Sequence, residues 1–184
     1  MLFEGLGYGF SRATYEETYS PDWYQTYRAL GIPESIWEKV DLKWLELHDE
    51  ESYDLIPGAR EALVRLRSRG VSLAVVTSGS RERVSVQAAE MALDDLFDVM
   101  VYSEDVRSKK PDPEGLHVGL RGLGIEGESA VYVGDSPEDI QMAKAAGVLA
   151  VAIPGGFPNR EALEASEPDL LAGSIKEATE MLLT

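Results

Sequence analysis

Two aspartates four residues apart carry the first chemical suggestion in this chain. Asp135 and Asp139 lie in Val131-Tyr132-Val133-Gly134-Asp135-Ser136-Pro137-Glu138-Asp139-Ile140, where a short apolar run ends in Gly-Asp. Ser136 followed by Pro137 spells a helix start, with Ser as N-cap and Pro at the first helical position. The helix continues through Met142, Ala143 and Ala146 to Gly147, a residue suited to a left-handed stop. Asp135 is thereby placed at the carboxyl end of a strand and Asp139 in the first turn of the next helix. Both carboxylates can face one pocket, and such oxygen donors suit a hard cation, Mg²⁺. The competing reading is structural: Asp135 caps the turn and Asp139 complements the helix dipole.

Two further groups stand at the ends of ordered runs. Residues 71–76 lead into Thr77-Ser78-Gly79-Ser80, so hydroxyls meet a strand-to-helix turn whose glycine backbone lets an anion approach. Ser108-Lys109-Lys110-Pro111 sets a lysine directly before a proline, where the backbone has little freedom. Hydroxyls from Thr77 and Ser78, the Lys110 ammonium and a divalent cation would together neutralise and hold the oxygens of a phosphoryl group. Taken singly, Thr77 reads as a helix cap and Lys110 as a solvated loop charge. Their order along the chain favours the joint reading.

The elements that must position these groups follow from patterning. Residues 71–76 are an almost continuous apolar run, as in a strand buried on both faces. Further strands are predicted at 97–102, 130–133, 148–153 and 170–171. Helices are predicted at 59–68, 81–91, 113–123 with Asp112 as N-cap, 137–146 and 159–165, and a last one opens with Ser174 and Glu177 as a capping box. This alternation calls for an α/β fold, a doubly wound parallel sheet with helices on both faces and ligands outside the carboxyl ends of its strands. Residues 21–50 instead carry two helical stripes, through Trp23, Tyr24, Tyr27 and Leu30 and then Ile36, Trp37, Val40, Trp44, Leu45 and Leu47, broken at Gly31-Ile32-Pro33. The expected division is 1–10 for a first strand and loop of the core, 11–56 for a small helical cap, and 57–184 for the α/β core. Most of the cap aromatics are expected to pack on one another, though Trp37 and Trp44 could equally serve a dimer contact.

Composition excludes several classes. A net charge of −16 over 184 residues argues against nucleic acid or an anionic membrane as partner. No apolar run reaches the roughly 18–20 residues of a membrane span, and no signal-like segment precedes the body, so a cytoplasmic protein, monomer or homodimer, is expected. The chain has no cysteine, which removes disulfides and thiolate chemistry. His48 and His117 lack metal-ligand spacing.

In order, Leu73 to Thr77, Lys110-Pro111 and Gly134-Asp135 with Asp139 resemble three of the four motifs of the haloacid dehalogenase (HAD) superfamily, across the C-terminal two thirds of the chain. Pro57-Gly58 before a helix resembles the re-entry into the core seen in phosphoglycolate-phosphatase-like members. The resemblance implies a Rossmann-like sheet and a Mg²⁺-dependent phosphatase that hydrolyses a small phosphorylated metabolite through an aspartyl-phosphate. It further implies that Thr77 binds the phosphoryl group, Lys110 stabilises its charge, and Asp135 with Asp139 holds the metal. The family's first motif, Asp-x-Asp-Gly, supplies nucleophile and general acid/base. Here no aspartate precedes Asp22 and Asp-x-Asp occurs nowhere; alignment puts Glu4 and Leu6 at the two positions. Glu4 is one methylene too long, and even a small misplacement costs ~10²-fold, while Leu6 transfers no proton. Two expectations result. One is a phosphatase by descent whose first strand is altered or lost; the other is an inactive phosphate- or Mg²⁺-binding regulatory protein. A phosphoacceptor receiver domain also combines acidic residues, Thr and Lys, but places the acidic residues first, whereas here they come last.

Overall fold

Local capping starts the first helices. The computed structural model describes residues 8–20, 23–48, 54–155 and 160–183, and the chain divides into two units, Met1–Tyr53 and Asp54–Thr184. In the first unit, Ser11 Oγ accepts the Thr14 N–H at 3.0 Å and starts α1 (Arg12–Thr18), a helix that hydrophobic periodicity did not reveal. Helices α2 (Trp23–Ala29) and α3 (Trp37–His48) follow the two stripes, with Gly31 turning the chain between them at φ 70°. The stripes bury Tyr27, Leu30, Ile32 and Val40 against one another, and Tyr8, Phe10, Tyr15, Ile36 and Trp37 pack around them. Tyr24 stacks on Trp37 with ring centroids 4.7 Å apart, and the Arg28 guanidinium lies 4.9 Å from the same ring. Tyr8 and Phe10 thus pack within this helical unit. Residues 1–7, including Glu4 and Leu6, and the side chains of Trp23, Trp44 and His48 lie outside the described residues.

The second unit is the α/β body. Helix α4 (Ala59–Ser68) follows Gly58, at φ 82°, and ends before Gly70. Strand β1 (Ala74–Val76) pairs in parallel with β2 (Val99–Val101). Strands β3 (Val131–Gly134), β4 (Leu149–Ala152) and β5 (Leu170–Leu171) form a second parallel set in that order. Helices α5 (Arg81–Glu90), α6 (Glu114–Leu123), α7 (Pro137–Ala145), α8 (Arg160–Ala165) and α9 (Ile175–Leu182) follow the five strands in turn. This is the α/β class that the alternation predicts.

Strand β4 shows why a continuous apolar run marks a central strand. Side chains alternate between the two faces, so Ala150 and Ala152 enter a core with Leu116, Ile140, Met142, Ala143 and Leu163, while Val151 and Ile153 enter another with Ala172 and Ala178. Strand β1 departs from the expectation for its run. Ala74 is exposed and Val75 and Val76 are half-buried, because among the described residues β1 is paired along its β2 edge alone. Two caps also shift. Pro113, not Asp112, is the N-cap of α6, although Asp112 Oδ1 still accepts the Glu114 N–H at 2.9 Å. Glu177 reaches back to the Gly173 N–H at 2.7 Å, one residue before the Ser174 cap. No helix among the described residues is long and apolar enough to cross a membrane.

Candidate active site

Three chain reversals at the carboxyl ends of strands deliver the polar groups. After β1, the Thr77 N–H donates to Val101 O at 2.9 Å, extending the ladder by one residue. The chain then turns so that Thr77 Oγ1 accepts the Gly79 N–H at 3.0 Å, leaving the hydroxyl proton to point elsewhere. Beyond β2, the loop bearing Lys110 is tied down from α6: Glu114 Oε2 accepts the Arg107 and Ser108 N–H groups at 2.9 and 2.8 Å. These bonds hold the Glu114 carboxyl below the usual carboxylate range. The Lys110–Pro111 peptide is cis. Thr77, Ser78 and Lys110 line one small cavity together with Ser103, Ser108 and Asp112, with about 20 Å³ of space, room for a single ordered water.

After β3, the turn into α7 is closed by a reciprocal cap. The Asp139 N–H donates to Ser136 Oγ at 3.2 Å, and Asp139 Oδ2 accepts from the Ser136 and Asp135 N–H groups, each at 3.2 Å, and from the Ser136 hydroxyl at 3.1 Å. Such closeness requires glycine at position 134, where a Cβ would lie 2.3 Å from Asp139 Cβ. The other oxygen, Asp139 Oδ1, accepts from Lys110 Nζ at 2.9 Å and lies 3.2 Å from the Tyr132 hydroxyl. Lys110 Nζ also donates to Tyr132 Oη at 2.8 Å and to Val76 O at 3.0 Å. The ammonium thus joins the end of β1, the middle of β3 and the first turn of α7.

Charge explains the pairing. Burial alone would lower the Lys110 pKa, yet the adjacent Tyr132 and Asp139 outweigh it and hold the ammonium above the ordinary lysine value. Burial likewise raises the Tyr132 phenol, with Lys110 opposing and Asp139 reinforcing the rise. Asp135 is placed differently. Its Oδ2 lies where a Cβ on Gly155 would stand, 2.0 Å away, and the residue is otherwise exposed. Partial burial, and next the negative Asp139 beside it, push its carboxyl above the usual range.

The three motif segments, at Thr77, Lys110 and Asp135 with Asp139, meet at one end of the strands, but the two aspartates have different surroundings. Both Asp139 oxygens are engaged by protein donors, and the residue fixes Lys110 and the α7 turn. Asp135 is the carboxylate on the solvent side, and it does not line the Thr77–Lys110 cavity. Among the described residues no three Asp, Glu or His side chains gather in a metal-ligand cluster. One carboxylate still fits Mg²⁺, which is commonly held by one or two carboxylates plus substrate phosphate and water. Burial is the main cause of the raised Asp135 carboxyl, and a cation there would offset the smaller contribution of the Asp139 charge. Sequence reasoning missed Tyr132 and Gly155. A phenol inside the apolar run Val-Tyr-Val was the available signal for the first; the second had none, since its neighbour is twenty residues away in sequence.

The parallel α/β body thus carries hydroxyls, a buried Lys–Asp pair and an outward carboxylate at the ends of its strands. The chain belongs to the haloacid dehalogenase-like hydrolase family, which residues 2–153 match. It is 35% identical over 134 residues to the phosphoglycolate phosphatase of Pectobacterium atrosepticum, a stretch covering 73% of this chain and 57% of that protein. The chain thus spans little more than half the length of this curated relative. Among solved structures it is similar to a protein described as a haloacid dehalogenase-like hydrolase from Bacteroides fragilis, with a TM-score of 0.84, 26% identity, and coverage of 94% of this chain and 85% of that one. It is also similar to CbbY from Rhodobacter sphaeroides solved with phosphate, with a TM-score of 0.78, 26% identity, and coverage of 96% and 84%.

Proposed function

We propose that the site handles the phosphoryl group of a small phosphorylated metabolite and that the chain is a HAD-type phosphohydrolase by descent. The observation that carries this reading is Lys110, whose ammonium is fixed by Asp139 and Tyr132 and which lines the same cavity as Thr77 and Ser78. The cavity as it stands has room for one water, so a phosphoryl group would widen it or lie across its opening to meet Lys110, and the Thr77 hydroxyl proton has no acceptor among the described residues. Asp135 would hold Mg²⁺, with Asp139 adding charge behind it instead of ligating directly. The ion, when bound, would neutralise further phosphoryl oxygens. The solved CbbY with phosphate and the phosphoglycolate phosphatase relative support a phosphomonoester as the substrate class.

The absence of Asp-x-Asp favours a second reading, a non-catalytic phosphate- or Mg²⁺-binding protein. Mg²⁺-dependent hydrolysis of p-nitrophenyl phosphate, with Asp135→Asn as control, separates them. Turnover that needs both Mg²⁺ and Asp135 establishes a working nucleophile in this chain. Turnover gained only in the Glu4→Asp, Leu6→Asp double variant identifies an intact scaffold lacking its first motif. Silence in both leaves the binding-protein reading.

A further inference from the structure

The Lys110 ammonium has three N–H bonds to give, and three protein acceptors take them: Val76 O at 3.0 Å, Tyr132 Oη at 2.8 Å and Asp139 Oδ1 at 2.9 Å. A phosphoryl oxygen can receive an N–H from Lys110 only by displacing one of them. The three are not equally displaceable. Asp139 is charged, and a charge-assisted bond is about twice as strong as a neutral one. Val76 O would lose its charged donor and keep only the longer contact from the neutral Tyr132 hydroxyl at 3.3 Å. Tyr132 is the neutral side-chain acceptor, and its own proton keeps two alternatives, Asp139 Oδ1 at 3.2 Å and Val76 O at 3.3 Å.

We propose that Tyr132 is a positioning residue for Lys110: it occupies one ammonium N–H while the site is empty of phosphate and yields that bond to a phosphoryl oxygen. This deepens the phosphoryl-site reading and rests on it. The phenol prevents a buried N–H from going unpaired and stops the lysine stem from collapsing elsewhere, while competing with the ligand for the same proton. Its removal therefore has a sign opposite to that of an ordinary supporting residue. Tyr132→Phe leaves one N–H unsatisfied without phosphate and satisfied with it, so phosphate binds more tightly.

Isothermal titration of the full chain with inorganic phosphate in the presence of Mg²⁺ tests this on wild type, Tyr132→Phe, Lys110→Met and the double variant. The expected result is a phosphate affinity about tenfold higher in Tyr132→Phe, the equivalent of one unsatisfied buried donor. In the Lys110→Met background, Tyr132→Phe should leave the residual affinity unchanged. Weaker or equal binding by Tyr132→Phe, or the same change in both backgrounds, overturns the role of Tyr132 and leaves the phosphoryl site standing. No phosphate binding by the wild type removes the phosphoryl-site reading and this proposal with it. Should Tyr132→Phe not fold, wild-type protein labelled at tyrosine ¹³Cζ decides. Phosphate should displace the resonance that Lys110→Met also displaces, and a resonance unmoved by saturating phosphate overturns the proposal.

Discussion

Asp135 and Asp139 are chemically identical and four residues apart, yet their surroundings give them opposite effects on stability. The Asp135 carboxyl titrates higher in the folded chain than in the unfolded one. Its folded form therefore binds more protons over that interval, and stability falls as pH rises through the folded value. At pH 7 the ionised group opposes folding. Asp135→Asn should raise Tm at pH 7, by the equivalent of less than about 1 kcal/mol because the carboxylate is open to solvent. Thermal melts across pH should show the advantage vanish below about pH 4, where both states of the wild type are protonated. Mg²⁺ should raise the Tm of wild type and not of Asp135→Asn. Asp139 acts the other way, since its side chain and that of Lys110 are 7% and 13% exposed. Asp139→Ala strands a buried ammonium and should cost about 3–5 kcal/mol in urea denaturation. Lys110, whose folded pKa is raised, contributes its full stabilisation below about pH 10.4, so that loss should be flat across the neutral range.

At the level of the element, the β3–α7 turn is where sequence and site are the same object. Ser136 caps α7 while its hydroxyl bonds the carboxylate that anchors Lys110. Ser136→Ala should cost about 1 kcal/mol as a lost cap, read as a lower Tm, and should weaken phosphate binding because Asp139 loses a donor. The loop after β4 lies against Asp135. A Cβ on Gly155 would lie 2.0, 2.7 and 2.9 Å from Asp135 Oδ2, Cγ and Cβ, so rotating the carboxylate does not relieve the clash and the backbone must shift as well. Gly155→Ala should therefore cost about 1–3 kcal/mol of stability as overpacking and reduce the rise in Tm produced by Mg²⁺. An unchanged Mg²⁺ response would show that Asp135 does not need its present orientation to bind the ion.

Across the whole molecule, a net charge of −16 means that the folded chain repels itself. Raising NaCl from about 10 mM to about 200 mM shortens the screening length severalfold, and it should raise Tm without altering the secondary-structure signal. The two units also differ in how they are built. The helical unit draws its core from aromatics on its stripes, with Tyr27 buried and its hydroxyl donating to Asp41 at 2.8 Å. The α/β unit draws its core from small and branched side chains alternating across β4.

How much of this was legible depended on the range of each interaction. Helix starts at Ser80, Ser136 and Ser174 and the strand-to-helix alternation could be read because caps and periodicity act within a turn or two of chain. Helix α1 escaped because seven residues carry no full apolar stripe and only its Ser11 cap announces it. The chemical types at the strand ends were also written in the order Thr77, Lys110, Asp135, Asp139. Which of the two carboxylates faces solvent, and which is consumed by the fold, was not. That choice rests on Lys110 meeting Tyr132 and Asp139 across 22 and 29 residues, and on Gly155 lying against Asp135. The sequence by itself determined the elements and the reactive groups at their ends, since local propensity decides both. Only the tertiary structure, through packing between residues far apart in the chain, decided which of those groups is buried among protein donors and which faces solvent.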